Sequence, residues 1–320
     1  EGLRAMPKAP PHEAVTLHWP FTPAAPDFYT AYWSVNLQGT AKKQALTFGY
    51  DVPQIAPPLA APPDFTDYWS GIVAEANATP ATLQTQDDPT RSTTTVSVSR
   101  IALEGAGVPC YGWLATPKFP GRYPGILQLP GDRIRSLPPN TALADCGFVV
   151  MTLEPTGQPV DGALKPIITR ASTNLDDPAR IGLRGVMIRY LRALSALAAA
   201  PSVDSNRLAV TGAGLGGGQS LLLAALDERV QACAPDVPYY CHIELNRQRT
   251  DWPYWEVADY LRKYPDREEQ VLKTLRYFDA AHFASQVTCP VLISAGIDDR
   301  YARPETIYGL YNRLAGPRAI

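Results

Sequence analysis

The chain has 320 residues, 45% hydrophobic and 19% charged, with Lys+Arg 29 against Asp+Glu 31 for a net charge of −2. Such a composition buries a sizeable core and excludes a disordered polyelectrolyte, and the absence of any basic stripe excludes nucleic acid as the expected partner. The length holds one large α/β domain of about 250 residues plus an appendage, not two independent enzymes.

Proline dominates the start of the chain. There are 32 in all, many of them between Pro7 and Pro63, too closely spaced for long helices. Short strands are expected at 15–19 and 45–50, and 56–63 reads as a stiff connector. A boundary near residue 62 separates a Pro-rich, β-rich segment, 1–62, from a main domain, 63–320. Asp64 is expected to cap a helix that sets Phe65, Tyr68 and Trp69 on one face. From residue 93 the rhythm becomes strand, loop, helix, strand. Residues 93–103 and 111–116 read as strands around the Gly105-Ala106-Gly107 turn. The continuous apolar runs 125–129 and 147–153 suit strands buried on both faces of a largely parallel sheet. A helix is expected over 180–200, where Val186, Tyr190, Leu194 and Leu197 recur at helical spacing before Pro201. A strand at 207–211, a glycine-rich turn, a helix at 219–226 and a strand at 230–234 follow. A helical insertion rich in Tyr, Trp and Arg occupies about 246–284, and 290–296 reads as a further buried strand. This alternation implies a doubly wound, mostly parallel α/β sheet.

The five cysteines, Cys110, Cys146, Cys233, Cys241 and Cys289, are widely spaced and form no CxxC. They are expected to be buried structural thiols, with a disulfide or reactive thiol as the alternative. No apolar stretch approaches the roughly 18 residues of a membrane span, and Glu1-Gly2-Leu3 does not open like a signal peptide. Localisation is left open, secreted or periplasmic placement included.

The strongest local signal is a strand, then Gly212-Ala213-Gly214-Leu215-Gly216-Gly217-Gly218, then a helix. This is the setting of a nucleophile elbow, G-x-S-x-G, where small residues let a strand turn abruptly into a helix and lift the central side chain above the sheet. Gly214 holds the serine position, so the turn is kept and the attacking hydroxyl is not. Glycine accepts the elbow dihedrals freely, whereas serine is strained there by about 1–3 kcal/mol. Neither Thr211 nor Ser220 is placed to replace it. A rival reading is a dinucleotide fingerprint, because the run is nearly G-x-G-x-x-G. That motif belongs on the first strand of its domain, with an acidic residue about 20 positions later, after a second strand. Here several strands precede the turn, and Asp227 and Glu228 lie at the end of the next helix.

Residues 204–212, the triple glycine and residues 225–230 resemble the acetyl xylan esterase and cephalosporin C deacetylase family, a branch of the α/β-hydrolases. Further segments are similar in the same order. They are Pro63-Asp64-Phe65 with Tyr68-Trp69, Gly112-Trp113-Leu114 with Pro117, Asp236-Val237-Pro238, and Arg276-Tyr277-Phe278-Asp279 followed by Cys289-Pro290-Val291-Leu292. The resemblance spans 63–320 and implies an α/β-hydrolase fold, carbohydrate deacetylation through a Ser-His-Asp triad, and no cofactor or metal.

Carried over residue by residue, Gly296-Ile297-Asp298-Asp299 with Pro304 and Thr306 matches the loop of the triad acid. That makes Asp299 the acid position, with Asp298 the alternative; such a carboxylate orients a histidine and stabilises its imidazolium. In the family the histidine follows this acid after a further strand. His12, His18, His242 and His282 all precede it and are expected to be structural or surface groups, with the strand and its histidine missing at Ile320. The oxyanion hole is expected from the Leu215 N–H and from Gly131 and Asp132 in Leu129-Pro130-Gly131-Asp132, unless Gly131 is simply a tight turn. Where the family often has His-Gly-Tyr, Pro130 removes a donor and Asp132 brings a carboxylate close to developing negative charge. Trp252, Tyr254, Trp255 and Tyr260 either stack on sugar rings at the site mouth or pack the insertion onto the sheet.

Three functions follow as expectations. The first is an acetyl esterase scaffold for acetylated carbohydrate or a small ester, inactive because Gly214 replaces the serine. The second is a non-catalytic carbohydrate-binding or assembly subunit, with a homo-oligomer left open. The third is nucleotide binding at the glycine-rich turn.

Overall fold

The computed structural model describes residue 5 and residues 15–37, 40–79, 81–105, 109–133, 136–250 and 254–320. It divides into two units, residues 1–54 and 55–320. In the first, β1 (Asp27–Leu37) and β2 (Thr40–Tyr50) pair antiparallel in unbroken register, from Asp27 opposite Tyr50 to Leu37 opposite Thr40. The run expected to be extended at 45–50 lies within β2, while 15–19 joins no strand. The partner is instead Asp27–Leu37, whose aromatic and β-branched residues favour a pleated surface. Phe21, Tyr29 and Phe48 form a ring cluster with centroids 5.5 to 6.2 Å apart.

The second unit runs α1 (Phe65–Ala78), β3 (Thr82–Asp87), β4 (Val96–Glu104), β5 (Cys110–Pro117), β6 (Tyr123–Leu129), α2 (Thr141–Asp145), β7 (Val149–Glu154), α3 (Ile167–Ala171) and α4 (Gly182–Ala198). It continues through β8 (Val203–Ala213), α5 (Leu215–Leu226), β9 (Val230–Asp236), α6 (Ile243–Arg249), α7 (Trp255–Lys263), α8 (Glu268–Arg276), β10 (Val291–Leu292), α9 (Pro304–Tyr311) and β11 (Arg318–Ala319). The strands form one sheet in the order β11-β10-β9-β8-β6-β7-β5-β4-β3. Strands β6 to β11 are mutually parallel, and β5, β4 and β3 extend the sheet antiparallel from β7. β6 lies between β7 and β8, so the strand order reverses there. Open α/β sheets bind ligands in the crevice beyond the carboxyl ends of the strands at such a reversal.

Alternation along the central strands feeds two cores. Leu127, Leu129, Met151, Leu153, Leu208 and Val210 face the larger one, shared with Val186, Tyr190, Leu194 and Leu197 of α4. Val98, Trp113, Ala115, Ile126 and Val150 face the smaller one, with Ala144 of α2. Three details differ from the sequence reading. Asp64 precedes α1 but makes no cap bond; its carboxylate accepts the Tyr277 hydroxyl at 2.5 Å. The helix expected from 219 starts at Leu215, so the triple glycine is its first turn. The strand expected at 290–296 is regular only at Val291–Leu292, although the Ile293 N–H still donates to the Ala319 carbonyl at 2.9 Å and the Ser294 N–H to that of Pro235 at 3.3 Å. Four of the five free cysteines are buried and Cys146 is exposed. Residues 106 and 107 of the turn between β4 and β5, together with His12 and Trp252, lie outside the described residues.

Candidate active site at the strand ends

The β8–α5 junction is built by close backbone approaches that forbid side chains. A Cβ on Gly216 would lie 2.6 Å from the Leu129 carbonyl oxygen and 2.7 Å from that of Pro130, and one on Gly218 would lie 2.2 Å from the Tyr239 carbonyl oxygen. The glycines therefore press α5 against the ends of β6 and β9. Between them Gly214 adopts φ 58, ψ −117, a region that strains any residue with a Cβ and costs such a residue about 1–3 kcal/mol. Its N–H donates to the Asp236 carbonyl at 3.0 Å, and its own carbonyl accepts the Gly218 N–H at 3.0 Å and the Tyr239 N–H at 3.2 Å. A side chain here would point off the carboxyl end of the sheet, as an elbow requires. Leu215 follows as the first residue of α5, with its backbone N–H at the free end of the helix.

The loop after β6 lies directly on this elbow. Asp132 is 7% exposed, with the Arg133 Nε 3.6 Å from its Oδ2. Arg133 also donates to Glu256 at 3.0 Å and stacks on the Trp255 ring at 4.6 Å, tying the β6 loop to the start of α7. Burial raises the Glu256 carboxyl above its ordinary range, against the pull of Arg133. Tyr239, 5% exposed, places its ring over Gly214 and its hydroxyl toward Asp132. Neither that hydroxyl nor Asp132 Oδ2 completes a hydrogen bond of ordinary geometry with another described group.

Asp299 lies in the loop after β10, in the next strand position but one from β8. Its Oδ1 accepts the Tyr301 N–H at 2.7 Å and the Ala302 N–H at 3.0 Å, so the carboxylate folds its own loop and keeps Oδ2 in hand. Asn246 of α6 donates to the Tyr301 carbonyl at 2.9 Å, and Arg249 pairs with buried Glu305, which fastens this loop to the helical insertion. Asp298 is exposed. His242 and His282 lie within the packing of α1, α6 and α9; burial pushes each down to about 4, so both are neutral near pH 7. His18 lies in the N-terminal unit.

Gly214, Leu215, Gly131 and Asp132 thus meet at the β6 and β8 ends, with Asp299 on the same edge of the sheet. Tyr254 is 2% exposed and packs its ring 5.3 Å from Tyr240, which leaves no open face for a sugar. Trp255 is 36% exposed. Among the described residues no group of three or more His, Cys, Asp or Glu side chains could hold a metal, and no helix is long and apolar enough to cross a membrane. Sequence reasoning passed over Tyr239, Arg133 and Glu256. The first directly follows the Asp236-Val237-Pro238 motif, but nothing in its spacing says that its ring turns back onto the elbow.

A family model for acetyl xylan esterases matches residues 52–320, the whole second unit and a few residues before it. The chain belongs to the acetyl xylan esterase family. It is similar to an acetyl esterase of Xylanibacter ruminicola, at 27% identity over 286 residues covering 84% of this chain; it spans 64% of that relative's length. Among solved structures, the acetyl xylan esterase from Paenibacillus sp. R4 matches with a TM-score of 0.75 and 28% identity, covering 83% of this chain and 90% of that one. Acetyl xylan esterase 1 from Thermoanaerobacterium sp. JW/SL YS485 matches with a TM-score of 0.75 at 22% identity, over 84% of this chain and 89% of that one, a likeness of fold. The sheet described above is accordingly an α/β-hydrolase sheet.

Proposed function

We propose that this chain carries the acetylated-carbohydrate site of its family without the serine chemistry, so that it does not turn over acetyl esters through an acyl-enzyme. The observation that carries this reading is Gly214, which holds elbow dihedrals of φ 58, ψ −117 and offers no side chain. Serine-dependent ester hydrolysis needs an Oγ to attack the carbonyl, a histidine to take its proton, and N–H donors to hold the oxyanion. Here Leu215 and the β6 loop supply donors and Asp299 supplies an acid, but the first step has no attacking atom. Removal of a triad serine leaves only the acceleration that oxyanion stabilisation and binding provide. Asp132 works against even that remainder, because a buried carboxylate beside the donors opposes a developing negative charge.

Binding without turnover is favoured by Trp255, a partly exposed ring braced by Arg133 beside the β6 loop. Nucleotide binding finds less support, since the glycines of the turn meet Leu129, Pro130, Asp236 and Tyr239 where a pyrophosphate would need to approach. The test is acetate release from acetylated xylo-oligosaccharides together with calorimetric titration of the same oligosaccharides. The expected result is heat of binding without acetate. Saturable acetate release would overturn the proposed loss of turnover, and neither binding nor release would remove the carbohydrate site.

A further inference from the structure

We propose that Tyr239 is a plug in the nucleophile chamber, so that Gly214 and Tyr239 are a matched pair and a side chain at 214 is accommodated only by displacing the tyrosine ring from its packed position. This rests on Gly214 being the nucleophile position. A Cβ built at Gly214 would lie 2.7 Å from Tyr239 Cε1 and 3.4 Å from Cδ1 and Cζ, so the ring fills the space into which any elbow side chain must grow. A contact at that distance has to be relieved by movement of the ring, and three observations oppose such movement.

The Tyr239 backbone is clamped to the elbow at both ends. Its N–H donates to the Gly214 carbonyl, and its carbonyl oxygen rests against Gly218 where a Cβ would be 2.2 Å away. The flanking chain is also held in unusual conformations: Val237, Tyr240 and His242 all have positive φ, 36, 61 and 47. Non-glycine residues keep such dihedrals only where their surroundings over-determine them. Here buried Asp279 accepts the His242 N–H at 2.9 Å and the Ile243 N–H at 2.7 Å, Tyr240 O accepts the Ala280 N–H at 2.7 Å, and the Val237 N–H donates to Ser294 at 2.8 Å. Finally, the ring is enclosed. It packs 6.0 Å from the Tyr240 ring, and burial and the adjacent Asp132 carboxylate keep its hydroxyl protonated, facing the oxyanion loop. Relief must therefore come from rotation of the Tyr239 side chain out of a packed position.

The consequence is that returning a serine by one substitution does not reopen the site. A thermodynamic cycle tests this without relying on catalysis, using the full chain, Gly214→Ala, Tyr239→Ala and the double variant, each melted thermally. Positive φ at 214 penalises alanine in both backgrounds; the steric clash penalises it only when the tyrosine is present. The expected result is a clearly smaller fall in Tm on Gly214→Ala in the Tyr239→Ala background than in the parent. Equal falls, or failure of both Gly214→Ala proteins to fold, would overturn the plug. Gly214→Cys supplies a second reading, through alkylation mapped to the peptide carrying residue 214. Its labelling should be slow with Tyr239 present and at least tenfold faster with Tyr239→Ala, and equal rates would overturn the proposal. Neither measurement depends on acetate release by the unaltered chain, so failure here is distinguishable from failure of the proposed function.

Discussion

The turn at Gly214 and the loop at Asp299 both follow parallel strands of one sheet, yet they are built from opposite things. The elbow retains its backbone: the left-handed turn, the helix beginning at Leu215 and the crowded glycines. At its centre Gly214 offers no side chain. The Asp299 loop is shaped by a side chain, with Asp299 Oδ1 bonded to the N–H groups of Tyr301 and Ala302. In the first case geometry persists because packing needs it: α5 could not approach β6 and β9 otherwise. In the second the carboxylate persists because it folds the loop, whether or not a histidine ever takes its other oxygen. On the proposed reading, scaffold and chemistry are separable here: packing keeps the turn and loop folding keeps the carboxylate, with or without turnover.

This contrast can be broken most severely at Gly218. An alanine Cβ there would sit 2.2 Å from the Tyr239 carbonyl oxygen, a backbone atom that cannot rotate away. Gly218→Ala is expected to cost about 3 kcal/mol or more in urea unfolding; a loss below about 1 kcal/mol would mean that the elbow is not packing-limited. At Gly214 the obstacle is backbone strain and a tyrosine ring, so Gly214→Ala should cost about 1–3 kcal/mol in the same assay. In the acid loop, Asp299→Ala removes the acceptor of two N–H groups and should cost about 1 kcal/mol, whereas Asp299→Asn, which keeps an oxygen there, should cost less. Equal losses would show that charge rather than loop folding retains the aspartate. The smallest effect is expected at Gly71, in the middle of α1, where a Cβ meets nothing within 4 Å. Gly71→Ala should stabilise by about 0.5–1 kcal/mol, marking the difference between a glycine that is required and one that is spare.

Much of this was legible in the sequence where one physical constraint dominates. The runs that became β6 and β7 read as buried strands because both their faces are apolar, and α4 read from its helical stripe. The abrupt passage from β8 into α5 read from its glycines, whereas Asp299 as the acid position comes from the resemblance to a known family and belongs to the proposed function. What could not be read depends on contacts between distant segments. The sequence suggested that Asp64 caps α1, but Tyr277, 213 residues away, takes its carboxylate instead. The glycine run looked like a turn before a helix, whereas packing against Leu129 and Pro130 winds it into the helix itself. The sequence leaves Tyr254 between stacking on sugar and packing the insertion, and its ring lies against Tyr240. Tyr239 gave no signal, because its position over Gly214 follows from left-handed Val237, Tyr240 and His242, none a residue type that announces such a backbone.

The proposed loss of serine chemistry is tested most directly by incubating the unaltered chain with acetylated xylo-oligosaccharide and following free acetate by proton NMR. The expected result is release no faster than in buffer at any substrate concentration. Release that saturates with substrate and scales with protein would contradict it.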